Sequence, residues 1–214
     1  MKISWFFTIL LLISACAPKE SIDFSKKVNP FIGTGGHGHT YPGASAPFGM
    51  VQLSPDTRVY GWDACSGYHY SDSTILGFSH THLSGTGAAD YGDILFTPRI
   101  SLSDTLPIKF KHDNEEAWAG YYKVNLKNSV DVELTTTKRV GIHQYSYSTD
   151  NAFVAIDLKH GIGPDNPFEM GWKKTGDSEI TGYRRSEGWA RDQMVHYVAQ
   201  FSDSFSINND TDST

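Results

Sequence analysis

The residues best suited to chemistry lie between Gly33 and Asp93. Five of the nine histidines fall between His37 and His82, and four of these form two H-x-H pairs, His37/His39 and His80/His82. On an extended strand, residues i and i+2 share a face, so either pair has the spacing to grip one metal ion. Cys65 is the one thiol nearby, and the Cys/His series typical of zinc sites is absent. Histidines bonded into a packed polar network, or histidines touching a ligand, are the competing readings. The run GWDACSGYHY, Gly61 to Tyr70, sets Trp62, Tyr68 and Tyr70 beside Asp63 and His69. Aromatic plates with short polar groups suit the stacking and dense hydrogen bonding that hold sugars, although the same rings would also serve a core.

Gly33 to Gly38, GTGGHG, satisfies the G-x-G-x-x-G pattern. A dinucleotide site needs a helix to begin there. Pro42 and Pro47 fall where that helix would run, and an interior proline removes a donor and clashes with the preceding turn. The glycines therefore mark tight turns, or bare backbone that approaches a ligand or another domain. No G-x-S-x-G nucleophile elbow occurs; Ser84-Gly85-Thr86-Gly87 lacks it. Inverting glycoside hydrolysis needs two carboxyl groups ~6.5–9.5 Å apart. Asp56, Asp63, Asp72, Asp90 and Asp93 are candidates, and the sequence singles out no pair. Asp90 and Asp93 also suit turn capping.

Elements that could position these groups read as strands. Of 214 residues, 39% are hydrophobic, 13% aromatic and 20% charged, which excludes a disordered chain. Twenty glycines and nine prolines among Val, Ile, Thr, Tyr and Phe favour strands and turns. Eighteen basic against 24 acidic residues give −6 with no basic patch, so nucleic acid is excluded as a partner. Tyr122, Val124 and Leu126 alternate with polar residues, as do Val130, Val132 and Leu134, predicting half-buried antiparallel strands. Met50 to Leu53, Asp93 to Arg99, Phe153 to Leu158 and Met194 to Phe201 are further strands. Turns at 127–129, 139–141, 148–151 and 161–167, with roughly 8–12 residues between turns, predict an all-β antiparallel sandwich with long Gly/His-rich loops. Only Asn114 to Trp118 reads as helix, with Asn114 as cap and Glu115 and Glu116 in the first turn.

The first residues form an address. Lys2 precedes the apolar run Trp5 to Ile13, too short to span a bilayer and suited to a signal peptide over residues 1–15. Ile13-Ser14-Ala15-Cys16 resembles a bacterial lipobox, with cleavage before Cys16 and lipid on its sulfur. An ordinary secretory signal with an incidental cysteine is the alternative. Export with a lipid anchor in the bacterial envelope is expected, with residues 16–27 as a polar tether. Cys65 is then a free thiol. The tail from 208 to 214 is polar and expected to fray.

Several long blocks carry a resemblance. VNPFIGTGGHGHTYPGASAPFGMVQLSPDTR, GWDACSGYHY and GFSHTHLSGTGAADYGDILFTP, then EEAWAGYYKVNL, VELTTTKRVGIHQYSY and ITGYRRSEGWARDQMVHYVAQF, together resemble the N-terminal domain of family 92 glycoside hydrolases. These are calcium-dependent, exo-acting α-mannosidases. The resemblance implies a galactose-mutarotase-like β-sandwich over residues 28–207. In the family it packs on a C-terminal (α/α)6 barrel that carries the acid, the base and most calcium contacts. The resemblance ends before that barrel, which is therefore expected to be missing from these 214 residues. The implication is a sandwich that recognises mannose-containing glycans, is inactive alone and binds no calcium by itself. A free-standing lipoprotein that binds glycans is the alternative. Trp62 is expected to shape the subsite beside the reacting mannose, with Asp63 and Cys65 next to it. His80, His82 and the loop ending at His39 are expected to line the domain junction.

Overall fold

The computed structural model describes residues 22–208. The signal segment, Cys16 and positions 209–214 lie outside the described residues. Within them the chain forms fourteen strands: β1 (Ala44–Ser45), β2 (Gln52–Asp56), β3 (Thr74–Ile75), β4 (Gly77–Ser79), β5 (Leu95–Arg99), β6 (Ile108–Lys109), β7 (Glu115–Trp118), β8 (Tyr121–Asn125), β9 (Val130–Thr136), β10 (Gly141–Tyr147), β11 (Phe153–Asp157), β12 (Asn166–Gly176), β13 (Glu179–Glu187) and β14 (Gln193–Gln200). All recorded pairings are antiparallel. They build a five-stranded sheet ordered β1-β2-β4-β5-β11, a four-stranded sheet β10-β9-β8-β7, a three-stranded sheet β12-β13-β14 and the pair β3-β6. Helix is limited to short 3-10 turns at Phe24–Lys27, Trp62–Ala64 and His112–Asn114. The expected all-β sandwich is the observed architecture.

Alternation along the strands explains the layers. Tyr122, Val124, Val130, Val132 and Leu134 are buried while their neighbours are not, so the four-stranded sheet turns one apolar face inward. That face meets Leu53 of β2 and Phe78 of β4. A second apolar cluster joins Ile94, Phe96 and Leu158 to Val195, Tyr197 and Ala199 of the three-stranded sheet. Phe78 pairs directly with Phe96, and Phe96 with Ile156, so both clusters rest on one side of the five-stranded sheet. Its other side carries Gln52, Ser54, Asp56, Ser79 and Thr97, nearly all buried, which require polar partners. The loops holding the candidate residues cover this polar side. Gly67 shows how closely: a Cβ there would sit 2.2 Å from Asp56 Oδ1.

Two expectations are corrected. Asn114 to Trp118 is not helical: the 3-10 turn ends at Asn114 and Glu115–Trp118 is strand β7, paired with β8. Glu115 is turned inward there as the acceptor of buried tyrosine hydroxyls, a stronger tie than a helix first turn offers. The hairpin β12–β13, with the longest strand, was not foreseen. Its first strand lies at a sheet edge, is mostly exposed, contains Pro167 and is interrupted by two register shifts. Edge strands tolerate proline and need little alternation.

Candidate functional site

The loop Gly33 to His39 folds back on itself through residues that only glycine can supply. A Cβ on Gly38 would lie 2.1 Å from Gly33 O. Gly33 and Gly36 have positive φ, as does His39 at 55°. Neighbouring backbone secures the loop: Tyr70 N–H donates to Thr34 O at 2.8 Å, and Gly85 N–H to His39 O at 2.6 Å. His69 Nε2 donates to Gly36 O at 3.1 Å. His69 is thus a clamp on the loop.

The loop delivers His37 and His39 to Trp62 and Asp63. His37 Nδ1 is 2.7 Å from Asp63 Oδ1, and His39 Nε2 is 3.4 Å from the same oxygen. The Trp62 indole lies 4.8 Å from the His37 ring and edge-on to His39 at 4.5 Å. Its Nε1–H donates to Gly87 O at 2.9 Å, which fixes the ring plane. Trp62 remains 58% exposed. The hydrogen bond from His37, with help from His39, holds the Asp63 carboxyl below its ordinary value. At neutral pH Asp63 is therefore an acceptor, suited to a ligand's hydroxyl groups and unsuited to donating a proton. Cys65 sits beneath this turn, buried, with its thiol directed at Trp62 O. Burial pushes that thiol up, so it stays protonated.

The second H-x-H pair does not act as a unit. Strand β4 ends at Ser79 and the chain bends, sending His80 and His82 to opposite sides of the central sheet. His80 Nδ1–H donates to Ile94 O at 2.8 Å, leaving its Nε2 to accept from His143 Nε2–H at 3.1 Å. His143 Nδ1 in turn accepts from the Tyr145 hydroxyl at 2.7 Å. Burial pushes His80 down to about 4 and His143 well below its usual value. His82 turns to the polar side. Its Nδ1–H donates to Gln52 O at 2.7 Å, and its Nε2 lies 2.7 Å from Asp56 Oδ1. The other oxygen of Asp56 is 2.7 Å from His160 Nε2. Burial alone would raise Asp56, but His82 and His160 overcome it and hold the carboxyl well below the usual range. His160 is raised in spite of burial because Asp56 bonds it.

This network continues through Arg184, which is fully buried. Arg184 donates to Asp93 at 2.5 Å, to His160 O at 2.6 Å, to Leu158 O at 3.1 Å and to Asp165. His160, His143 and Arg184 were not legible in advance, since they bond Asp56, His80 and Leu158 across 104, 63 and 26 positions. Gly87 was equally hidden, because it acts through its carbonyl. Among the described residues no group of three or more His, Cys, Asp or Glu is placed to hold a metal ion. The oxygens of Asp56, Asp93, Asp165 and Glu115 accept from imidazole, guanidinium or hydroxyl groups.

An exposed indole, a fixed carboxylate and two imidazoles thus stand together on glycine-shaped loops of an antiparallel sandwich. The chain is a member of glycosyl hydrolase family 92: residues 27–211 match the family's N-terminal domain. A family GH92 alpha-mannosidase from Bacteroides thetaiotaomicron, solved in complex with mannoimidazole, is 39% identical with a TM-score of 0.81 over 85% of this chain and 25% of that one. A GH92 family glycosyl hydrolase is 26% identical, with a TM-score of 0.72 over 82% of this chain and 26% of that one. An inverting mannosidase from Bacteroides thetaiotaomicron is 24% identical, with a TM-score of 0.59 over 85% and 29% of the two chains, and shares the fold. An uncharacterized secreted glycosidase of Arthroderma benhamiae is 30% identical over 156 residues, 68% of this chain and 20% of its own length. The chain thus spans about a fifth to a quarter of these first relatives.

Proposed function

We propose that this chain forms the sugar-recognising wall of an exo-acting, inverting α-mannosidase that removes terminal α-linked mannose from glycans. The Trp62 cluster carries the reading. An exposed indole offers a plate for the C–H face of a sugar ring, and Asp63 and His37 offer polar groups at its rim. Likeness to an alpha-mannosidase bound to mannoimidazole supports mannose as the sugar.

Chemistry is assigned to a second domain of the kind the family carries. Inversion needs an acid and a base on opposite sides of the bond. Asp63, held in its charged form, does not fit the proton donor. The chain alone is expected to release no mannose from an aryl α-mannoside, and a chain joined to a family (α/α)6 domain is expected to release it. Release by the 214-residue chain would overturn this division of labour. Glycan binding that persists while the joined chain stays inert would favour a binding lipoprotein instead.

Calcium is proposed as a companion of the complete enzyme, with its ligands outside residues 22–208. Cys16 is proposed as the lipid attachment point, which places the wall at the bacterial envelope. Fatty-acid labelling that is lost in Cys16→Ala supports the anchor; equal labelling of both chains removes it.

A further inference from the structure

A second cleft opens at the far end of the glycine-rich loop. It has a volume of about 470 Å³ and is lined by Asn29, Phe31, Ile32, Tyr70 and His112, with Thr34, Gly35 and Glu115 at its base. That volume suits a small ligand. The Trp62 cluster uses His37 and His39 of this loop, whereas the cleft uses Thr34 and Gly35.

Its polar groups are set from behind by a buried carboxylate. The Glu115 side chain is 1% exposed. It accepts from the Tyr122 hydroxyl at 2.6 Å and from the Tyr68 hydroxyl at 3.0 Å. Its other oxygen takes His112 Nδ1–H at 2.8 Å. A carboxylate on Nδ1 fixes the orientation of the ring and leaves Nε2 to a ligand hydroxyl, which can donate or accept. Among the described residues that nitrogen makes no recorded bond. Tyr70 stacks on the His112 ring at 4.1 Å and 17°, which holds the ring's plane. Asn29 spends its side-chain oxygen on Phe31 N–H at 3.0 Å, leaving its amide N–H₂ to donate. Phe31, itself edge-on to Tyr70 at 6.1 Å, and Ile32 supply apolar wall.

From this arrangement we infer that the cleft is a second, separate binding site for a neutral hydroxylated ring, a pyranose unit of a glycan. One oriented imidazole nitrogen and one oriented amide donor between apolar walls match a sugar's hydroxyl groups and C–H face. A buried carboxylate behind the imidazole disfavours an anion. The choice of a mannose-type pyranose rests on the function proposed above; the placement of the site does not. The two sites would let one glycan be held at its tip and along a branch, or hold two chain ends at once.

Saturation-transfer NMR with methyl α-mannoside on the full chain tests this, comparing wild type, Trp62→Ala, Asn29→Asp and the double variant. Asn29→Asp keeps the oxygen that caps the turn and replaces the donor with an acceptor. Trp62→Ala is expected to retain part of the binding, and adding Asn29→Asp to weaken the remainder by roughly five-fold or more, the worth of one hydrogen bond. His112→Gln in the Trp62→Ala background serves as the second lesion and is expected to act alike. Complete loss in Trp62→Ala, or a remainder indifferent to both Asn29→Asp and His112→Gln, overturns the second site while leaving the Trp62 reading intact. Binding unchanged by Trp62→Ala yet lost in Asn29→Asp overturns the Trp62 reading and leaves the cleft standing. No binding by the wild type overturns both.

Discussion

A carboxylate held between two imidazoles, as Asp56 lies between His82 and His160, ties the loops to the sheet through charge. Asp56 titrates below its ordinary value, so its stabilisation is present above about pH 4 and is lost as pH falls through the lowered folded value. His160 titrates above its ordinary value, so its share is present below about pH 6.5 and is lost as pH rises through the raised folded value. Replacing Asp56 with Asn leaves both rings without the carboxylate they bond. A loss of about 3–5 kcal/mol is expected in urea unfolding at pH 5–6, as for other broken buried pairs. The His80–His143 pair behaves differently. Both are pushed down by burial, so their contribution is present above about pH 6.5 and fades as pH falls toward about 4, where His80 titrates. Thermal melts between pH 6.5 and 4 should show that decline, and the double variant His80→Phe/His143→Phe should flatten it. At the site itself, Trp62→Ala is expected to weaken sugar binding by about ten-fold or more while leaving the melting temperature within a few degrees, because the indole is exposed.

Between strands, Arg184 does the joining. From β13 it reaches Asp93 at the entry to β5 and the carbonyls of Leu158 and His160 beyond β11. Arg184→Met removes the cation but strands Asp93 and Asp165 in a buried place. A loss of about 3–5 kcal/mol is expected, and hydrogen exchange should show β12–β14 opening before the four-stranded sheet. Strand legibility in the sequence followed packing. β8 and β9 were plain because one side of each is buried and the other is not. β12 was invisible because an exposed edge imposes no alternation. The site was half legible for a related reason. Trp62, Asp63 and the His37–His39 loop stood out as residue types clustered in sequence, and the fold brings them together. His80 and His82 shared a spacing that promised one face, but strand β4 ends at Ser79, before either of them. Glu115 was misread because a surface helix start and a buried strand start can share the letters NEE.

Across the molecule, polar and apolar surfaces are divided unevenly. Phe48 is fully exposed at a positive φ, and Tyr60, Trp62, Trp189 and Val198 are each more than half exposed. So much bare apolar side chain marks surface suited to a partner. The purified chain is expected to bind a hydrophobic dye and to self-associate in light scattering. A monodisperse, dye-free monomer would show that these side chains need no cover. The loops that carry His37 and Trp62, in contrast, rest on the hydrogen-bonded side of the five-stranded sheet. A cushion of oil tolerates substitutions of similar size, whereas a lattice of matched charges does not. On the proposed reading, altering the sugar preference is therefore a matter of changing outermost side chains such as His37 and Trp62. Grafting whole loops from a distant relative would sever the anchors that give the loops a shape at all.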